Sequence, residues 1–229
     1  MQLNLRRMRS SITIGLLIIL VGCGQDTAQT KERALPILGH KDLDIQIVDG
    51  KEVTDTIYHV IPDFAYLNQD SIMFSSKEIK GKIWISDFFF THCPSICPTM
   101  TSQMKRLNTL LKDLEDEIEF LSFSIDPDRD QPSRMTEYIN NYGIEASNWN
   151  FLTGNEAATH RLGVEDFLVH AQKDNKAPGG YAHSEGFTLV DREGRVRGVY
   201  LGTVTEEVDK LEKDVRKLLE IEYGIKGKE

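Results

Sequence analysis

The stretch Lys82 to Phe90 (KIWISDFFF) restricts this chain more than any other. It is almost continuously apolar and rich in β-branched and aromatic side chains. A run of that kind suits a central strand covered on both faces. It is followed at once by Cys93-Pro94-Ser95-Ile96-Cys97-Pro98. The segment Pro98 to Glu117 then carries Met100, Met104, Leu107, Leu111 and Leu114 at spacings of three and four, the period of a helix with one buried face. Two cysteines therefore sit in a turn from a buried strand into a helix. In open α/β sheets the chemistry lies at the carboxyl ends of the strands.

The remaining elements follow from the same patterns. Leu35 to Gly50 mixes apolar and turn residues and reads as an irregular entry. Pro62 to Leu67, a turn at Asn68-Gln69-Asp70 and Ile72 to Phe74 predict a hairpin, with one helical turn over Ser75 to Lys80. Glu119 to Ile125 (EFLSFSI) alternates as a strand. Gln131 to Tyr142 reads as a helix closed by Gly143, and Trp149 to Leu152 as a short strand. Asn155 to Gly163 predicts a helix. Glu185 to Asp191 and Arg195 to Leu201 predict a hairpin, and Thr205 to Tyr223 the last helix. Parallel strands joined by right-handed helical crossovers and completed by an antiparallel hairpin give a thioredoxin-like α/β sandwich. The hairpin before Lys82 is an addition to it. No linker divides residues 35–229, which read as one domain.

The first residues read as an address. Residues 1–11 hold Arg6, Arg7, Arg9 and no acid, and Ile12 to Val21 is apolar. A positive start, a short apolar run and small residues before a cut describe a secretory leader over residues 1–22. The run is shorter than the roughly 18 apolar residues of a spanning helix. Leu20-Val21-Gly22-Cys23 resembles a bacterial lipobox, which makes Cys23 the lipid-attachment residue and residues 23–34 a flexible tether. The body is then a membrane-anchored lipoprotein outside the cytoplasm. Beyond residue 22 the chain carries 24 basic against 36 acidic residues, a net charge of −12. So acidic a body argues against a nucleic-acid partner.

The body's two cysteines, Cys93 and Cys97, are spaced C-x3-C rather than the C-x2-C usual for redox pairs of this fold. A disulfide between them remains possible, and so does an ion held by both sulfurs. Pro98 fits a first helical turn, so Cys97 sits beside the N-cap, where free N–H groups favour a thiolate. Thiolates select soft ions, cuprous copper or zinc. No further cysteine in the body completes a four-thiolate site. Two cysteines and one histidine would leave an open site suited to copper that must later leave. Of six histidines, His183 stands out, in a flexible loop Pro178 to Ser184 leading into the second hairpin. In a thioredoxin-like fold that loop approaches the cysteines. His92 is expected to face solvent, and His160 to be an ordinary helical residue. Met100 and Met104 read as core.

At this point the residues resemble the Sco/SenC family of copper-binding assembly proteins for cytochrome c oxidase. The matching pieces are Asp87 to Pro98 (DFFFTHCPSICP), Ser122 to Asp130 (SFSIDPDRD), Phe151-Leu152-Thr153-Gly154 and His183-Ser184. The resemblance implies a membrane-tethered thioredoxin fold in which Cys93, Cys97 and His183 ligate a copper ion. It also implies a partner, oxidase subunit II or another copper-site protein, that receives copper or has its cysteines reduced. Family members usually carry Asp before this histidine; here it is Ala182. Asp87, six residues before Cys93, is expected beneath the cysteines with a raised pKa, as a possible proton shuttle. Asp126 to Asp130 reads as helix capping with an Asp–Arg pair rather than a cation loop.

Two other chemistries use the same residues. A thiol–disulfide reductase would attack through Cys93, resolve through Cys97 and need no histidine. A peroxiredoxin-like peroxidase would need Thr91 and an arginine near a sulfenic acid.

Overall fold

A computed structural model describes residues 34–174 and 176–227. The leader over 1–22, Cys23 and the tether as far as residue 33 lie outside the described residues.

The strands, in order, are β1 (Lys41–Val48), β2 (Lys51–Tyr58), β3 (Ala65–Asn68), β4 (Met73–Ser75) and β5 (Ile83–Phe89). Helix α1 (Cys97–Leu110) leads to β6 (Ile118–Ser124), and α2 (Pro132–Tyr142) to β7 (Trp149–Thr153). Then come α3 (Glu156–Arg161), β8 (Ala171–Lys173), β9 (Tyr181–His183), β10 (Gly186–Val190), β11 (Val196–Leu201) and α4 (Thr205–Tyr223). Seven strands form the central sheet in the order β11-β10-β5-β6-β7-β3-β4. The middle three, β5, β6 and β7, are parallel, while β10 and β3 flank them antiparallel. This is the thioredoxin-like sandwich. The hairpin β3–β4 forms where expected and extends the sheet by pairing with β7.

Side-chain alternation along β5 divides the core. Phe88 stacks on Phe123 and meets Phe167 edge-on. Phe89 turns the other way, to Tyr138 of α2 and Phe151. Every residue of β5 and β6 is buried, as strands covered on both faces must be. Met100, Met104 and Leu107 of α1 are fully buried, so the two methionines are core. α1 packs against α4. Gly143 ends α2 in the left-handed conformation at φ 57°.

Three elements differ from the sequence reading. Leu35 to His40 is an irregular entry as expected, but Lys41 onward is not: β1 and β2 form a separate hairpin closed by Asp49-Gly50, both at positive φ. That two-residue turn matches the right-handed twist of its strands. The helix read over Pro98 to Glu117 leaves the α conformation at Leu111 and continues as a 3-10 turn over Lys112–Leu114. Leu111 and Leu114 stay buried either way, so the periodicity did not reveal the break. Asn155 to Gly163 is helical only to Arg161 and passes into a π turn, Leu162–Asp166.

Candidate metal centre

The strand β5 ends at Phe89, and four residues later the chain reaches Cys93. The N–H of Cys93 donates to the carbonyl of Phe90, folding the loop back on the strand end. Ile96 is the N-cap of α1, so Cys97 and Pro98 are its first two residues. No side chain caps this end and no acid lies in the first turn. The free N–H groups therefore point their positive end at the sulfurs.

The segment expected as a flexible loop is partly a strand. Tyr181–His183 (β9) pairs with Ala171–Lys173 (β8), placing His183 opposite Ala171. The pairing fixes the ring: Nε2 lies 3.6 Å from Cys93 Sγ and 3.3 Å from Cys97 Sγ. Both cysteines are free thiols and buried. His183 Nδ1 lies 3.1 Å from the carbonyl of Ser184. A carbonyl can only accept, so Nδ1 donates to it, and that bond turns Nε2 toward the two sulfurs. Ala182 supplies no carboxylate, and the Ser184 carbonyl orients the imidazole in its place.

Among the described residues, these three make the one cluster of three or more metal-type donors, all within 4.8 Å of one another. Bonds of about 2.0–2.3 Å at tetrahedral to trigonal angles put sulfur and nitrogen donors roughly 3.5–3.8 Å apart. The observed separations are close to that, and the donor set is soft. The three side chains fit a first-row ion that prefers sulfur.

The sulfurs are electrostatically unequal. The Cys93 thiol is lowered to about 2, chiefly by a hydrogen bond from Cys97, with help from His183 and the N–H groups of Cys97 and Ser95. Cys97 is pushed up, first by that same hydrogen bond and then by burial. The pair gives up its first proton readily and holds the second. Asp87 lies on the α1–α2 side of β5 and is 2% exposed. Burial raises its pKa to about 6, against smaller opposing effects of Ser122 and His183. Its Oδ1 has no hydrogen-bond partner.

The loop after β6 does more than cap a helix, and this corrects the sequence reading. The N-cap of α2 is Gln131, without a side-chain cap bond. Asp130 is instead fully buried, accepting from Thr91 N at 3.0 Å, Thr91 Oγ1 at 2.5 Å and Ser124 Oγ at 2.7 Å. It ties the strand end before Cys93 to the neighbouring strand. The Asp–Arg pair does form, between Asp126 and Arg129. Arg129 also donates to Gly179 O at 3.0 Å, and Tyr181 OH donates to Asp126 at 3.2 Å. One loop thus holds both the cysteine arm and the histidine arm. Phe90 completes the floor, meeting the His183 ring edge-on at 5.5 Å. Gly179 sits at φ 79°, where a Cβ would lie 2.6 Å from the Phe90 ring. His92 is half exposed as expected, with Nδ1 3.0 Å from Thr91 Oγ1. His160 is occupied by the Ile125 carbonyl at 2.9 Å.

This geometry has known counterparts. The family model SCO1/SenC matches residues 53–220. The SCO1 protein homolog of Bacillus subtilis (strain 168) is 33% identical over 171 residues, covering 73% of this chain and 86% of that protein. The crystal structure of a SCO1/SenC family lipoprotein from Bacillus anthracis str. Ames superposes with a TM-score of 0.64 at 32% identity, over 69% of this chain and 94% of that one. BsSco, described as a member of the Sco family of cytochrome c oxidase assembly proteins with a disulfide switch, superposes with a TM-score of 0.63 at 31% identity, over 71% and 94%. A sheet, a cysteine loop and a distant histidine that agree with a match across most of the body leave one conclusion: this chain belongs to the SCO1/SenC family.

Proposed function

We propose that the protein carries copper on Cys93, Cys97 and His183 and passes it to a copper-site protein during assembly of cytochrome c oxidase. The observation that carries the reading is the position of His183 Nε2 within 3.6 Å of both sulfurs. Exchange between two thiols needs no third donor, whereas three soft donors in an open arrangement suit an ion that must later leave. A Stutzerimonas stutzeri protein, 32% identical over 141 residues, is named for copper binding, and BsSco is described as an oxidase assembly protein. Copper is the cargo in this reading, and ligand exchange with thiolates of subunit II or another copper-site protein moves it on. Asp87 acts as the buried acid beside the site, taking or giving a proton as the donors change protonation.

In this reading Cys23, in its lipobox-like setting, carries a lipid that tethers the body outside the cytoplasm. The lipoprotein description of the Bacillus anthracis relative supports that placement. No helix among the described residues is long and apolar enough to cross a membrane.

The test is transfer. The reduced chain loaded with one equivalent of copper is mixed with the metal-free copper domain of oxidase subunit II, and copper on each is measured after separation. Copper should move to the domain from the wild type. The Cys93→Ser, Cys97→Ser double variant should neither hold nor deliver it. Tight stoichiometric copper on the double variant contradicts the proposal.

A further inference from the structure

Among the described residues, the hairpin β1–β2 hydrogen-bonds to no third strand. Directly paired residues of an antiparallel ladder share a face. One face therefore carries Leu43, Ile45 and Ile47 with their partners Thr56, Thr54 and Glu52, and Lys41 with Tyr58. Leu43, Ile45 and Ile47 are 65%, 58% and 79% exposed. The centre of this face is aliphatic and uncharged, with Lys41 and Glu52 only at its two ends. The reverse carries the acids Asp42, Asp44 and Asp55 and the base Lys51, interleaved with the half-exposed Val48, Val53 and Ile57, so the uninterrupted aliphatic centre belongs to the first face alone. A two-stranded hairpin is marginally stable alone in water, and an uncovered aliphatic face signals a missing surface.

The fold shows where that surface must be. The hairpin is rooted by Leu38 N–H on Val196 O at 2.8 Å and Ile61 N–H on Gly194 O at 2.9 Å. Both acceptors lie at the β10–β11 turn. Its strand β10 pairs Val190 with Trp84, at the start of β5. Cys93 follows the opposite end of β5, so the hairpin root and the metal centre occupy opposite poles. The tether arrives at the hairpin's pole. Ala34 N–H donates to Glu222, and Glu222 pairs with Arg197 of β11, next to Val196. Only ten residues separate Ala34 from Cys23, eleven steps and at most about 40 Å of extended chain.

From this we infer that the hairpin rests its Leu43–Ile45–Ile47 face on the bilayer surface and holds the metal centre pointing away from the membrane. The inference rests on the lipid-anchor reading of Cys23. The tether brings a lipid surface within reach of this pole. The uncharged centre of the face suits the boundary between headgroups and acyl chains, and the acids on the reverse point away from anionic headgroups. Side chains of such a face sink about 5–10 Å into that boundary.

Depth-dependent quenching tests it. The full-length chain is produced in bacterial membranes and reconstituted into phosphatidylcholine–phosphatidylglycerol vesicles with brominated acyl chains. Tryptophan is placed on one face or the other by Ile45→Trp or Gln46→Trp. The native Trp84 and Trp149 are buried in the core and give a constant background. Circular dichroism confirms that each variant is folded. The expected result is vesicle-bound protein in which the tryptophan at 45 is quenched at least about twofold more than that at 46, as a face sunk in the headgroup boundary requires. Vesicle-bound protein with equal or no quenching at both positions overturns the docking and leaves the anchor standing. An emission shift at 45 that depends on protein concentration and not on lipid identifies a second copy as the occupant and also overturns it. Protein that fails to sediment with vesicles refutes the anchor reading, and the docking with it.

Discussion

Asp87→Asn should stabilise the reduced, metal-free protein at neutral pH. The carboxyl is buried, its Oδ1 lacks a partner, and its pKa is raised to about 6 from 3.8. Between those two values the folded state binds more protons at this site than the unfolded chain does. Stability from this group therefore falls as pH rises through the window of about 4 to 6, and the penalty is complete above it. Some two pKa units at 1.36 kcal/mol each make that penalty about 3 kcal/mol. For a domain of this size it corresponds to roughly 6–12 °C in Tm. Asparagine keeps the shape and carries no charge. Thermal unfolding followed by circular dichroism from pH 4 to pH 8 should show variant and wild type nearly level at pH 4. The variant should pull ahead through pH 6, with a constant gap beyond about pH 7. A gap independent of pH, or a variant less stable than wild type at pH 7.5, refutes the claim that an ionised, poorly solvated carboxylate sits under the site.

Three further outcomes follow from named contacts. Arg197 is fully buried between Asp191, at 3.0 Å, and Glu222, so Arg197→Met leaves Glu222 without its cation and Asp191 with Arg195 alone, and should cost about 3–5 kcal/mol in urea denaturation; a loss under 1 kcal/mol contradicts it. Gly179→Ala should lose about 1–3 kcal/mol and weaken copper binding, because the new Cβ meets the Phe90 ring that backs His183; unchanged melting and affinity would show that the loop yields freely. Loading copper at neutral pH should release about one proton per ion, because the cysteine pair gives up its first proton readily and holds the second; dye-monitored release of none or two in weak buffer contradicts that asymmetry.

Much of the fold was legible because its strongest signals are local. The buried run at 82–90 became the fully buried β5, and Gly143 stopped α2 where a left-handed residue was needed. The hairpin β1–β2 carried its own signal: Leu43, Ile45 and Ile47 alternate up to Asp49-Gly50, a turn pair that favours this geometry. The acids of the intervening positions gave the segment a loop-like composition. At the site, the C-x3-C-Pro spacing exposed the cysteines, the Gly-rich loop before the second hairpin singled out His183, and the resemblance joined the three. What sequence could not show was the clamp. Asp130 reaches Thr91 across 39 positions, and Arg129 reaches Gly179 across 50. Partners that distant have no spacing to read, so Asp-Pro-Asp-Arg-Asp looked like an ordinary helix start.

The central claim is that an imidazole from one arm and two sulfurs from the other hold one ion. Titrating cuprous copper against a competing chelator, with wild type and His183→Ala side by side, tests it most directly. The account predicts one tight copper per wild-type chain. It also predicts a loss in the variant larger than the roughly 10–100-fold that removing an outer-shell partner costs. Equal affinity and stoichiometry in the two proteins would remove His183 from the site and contradict the account.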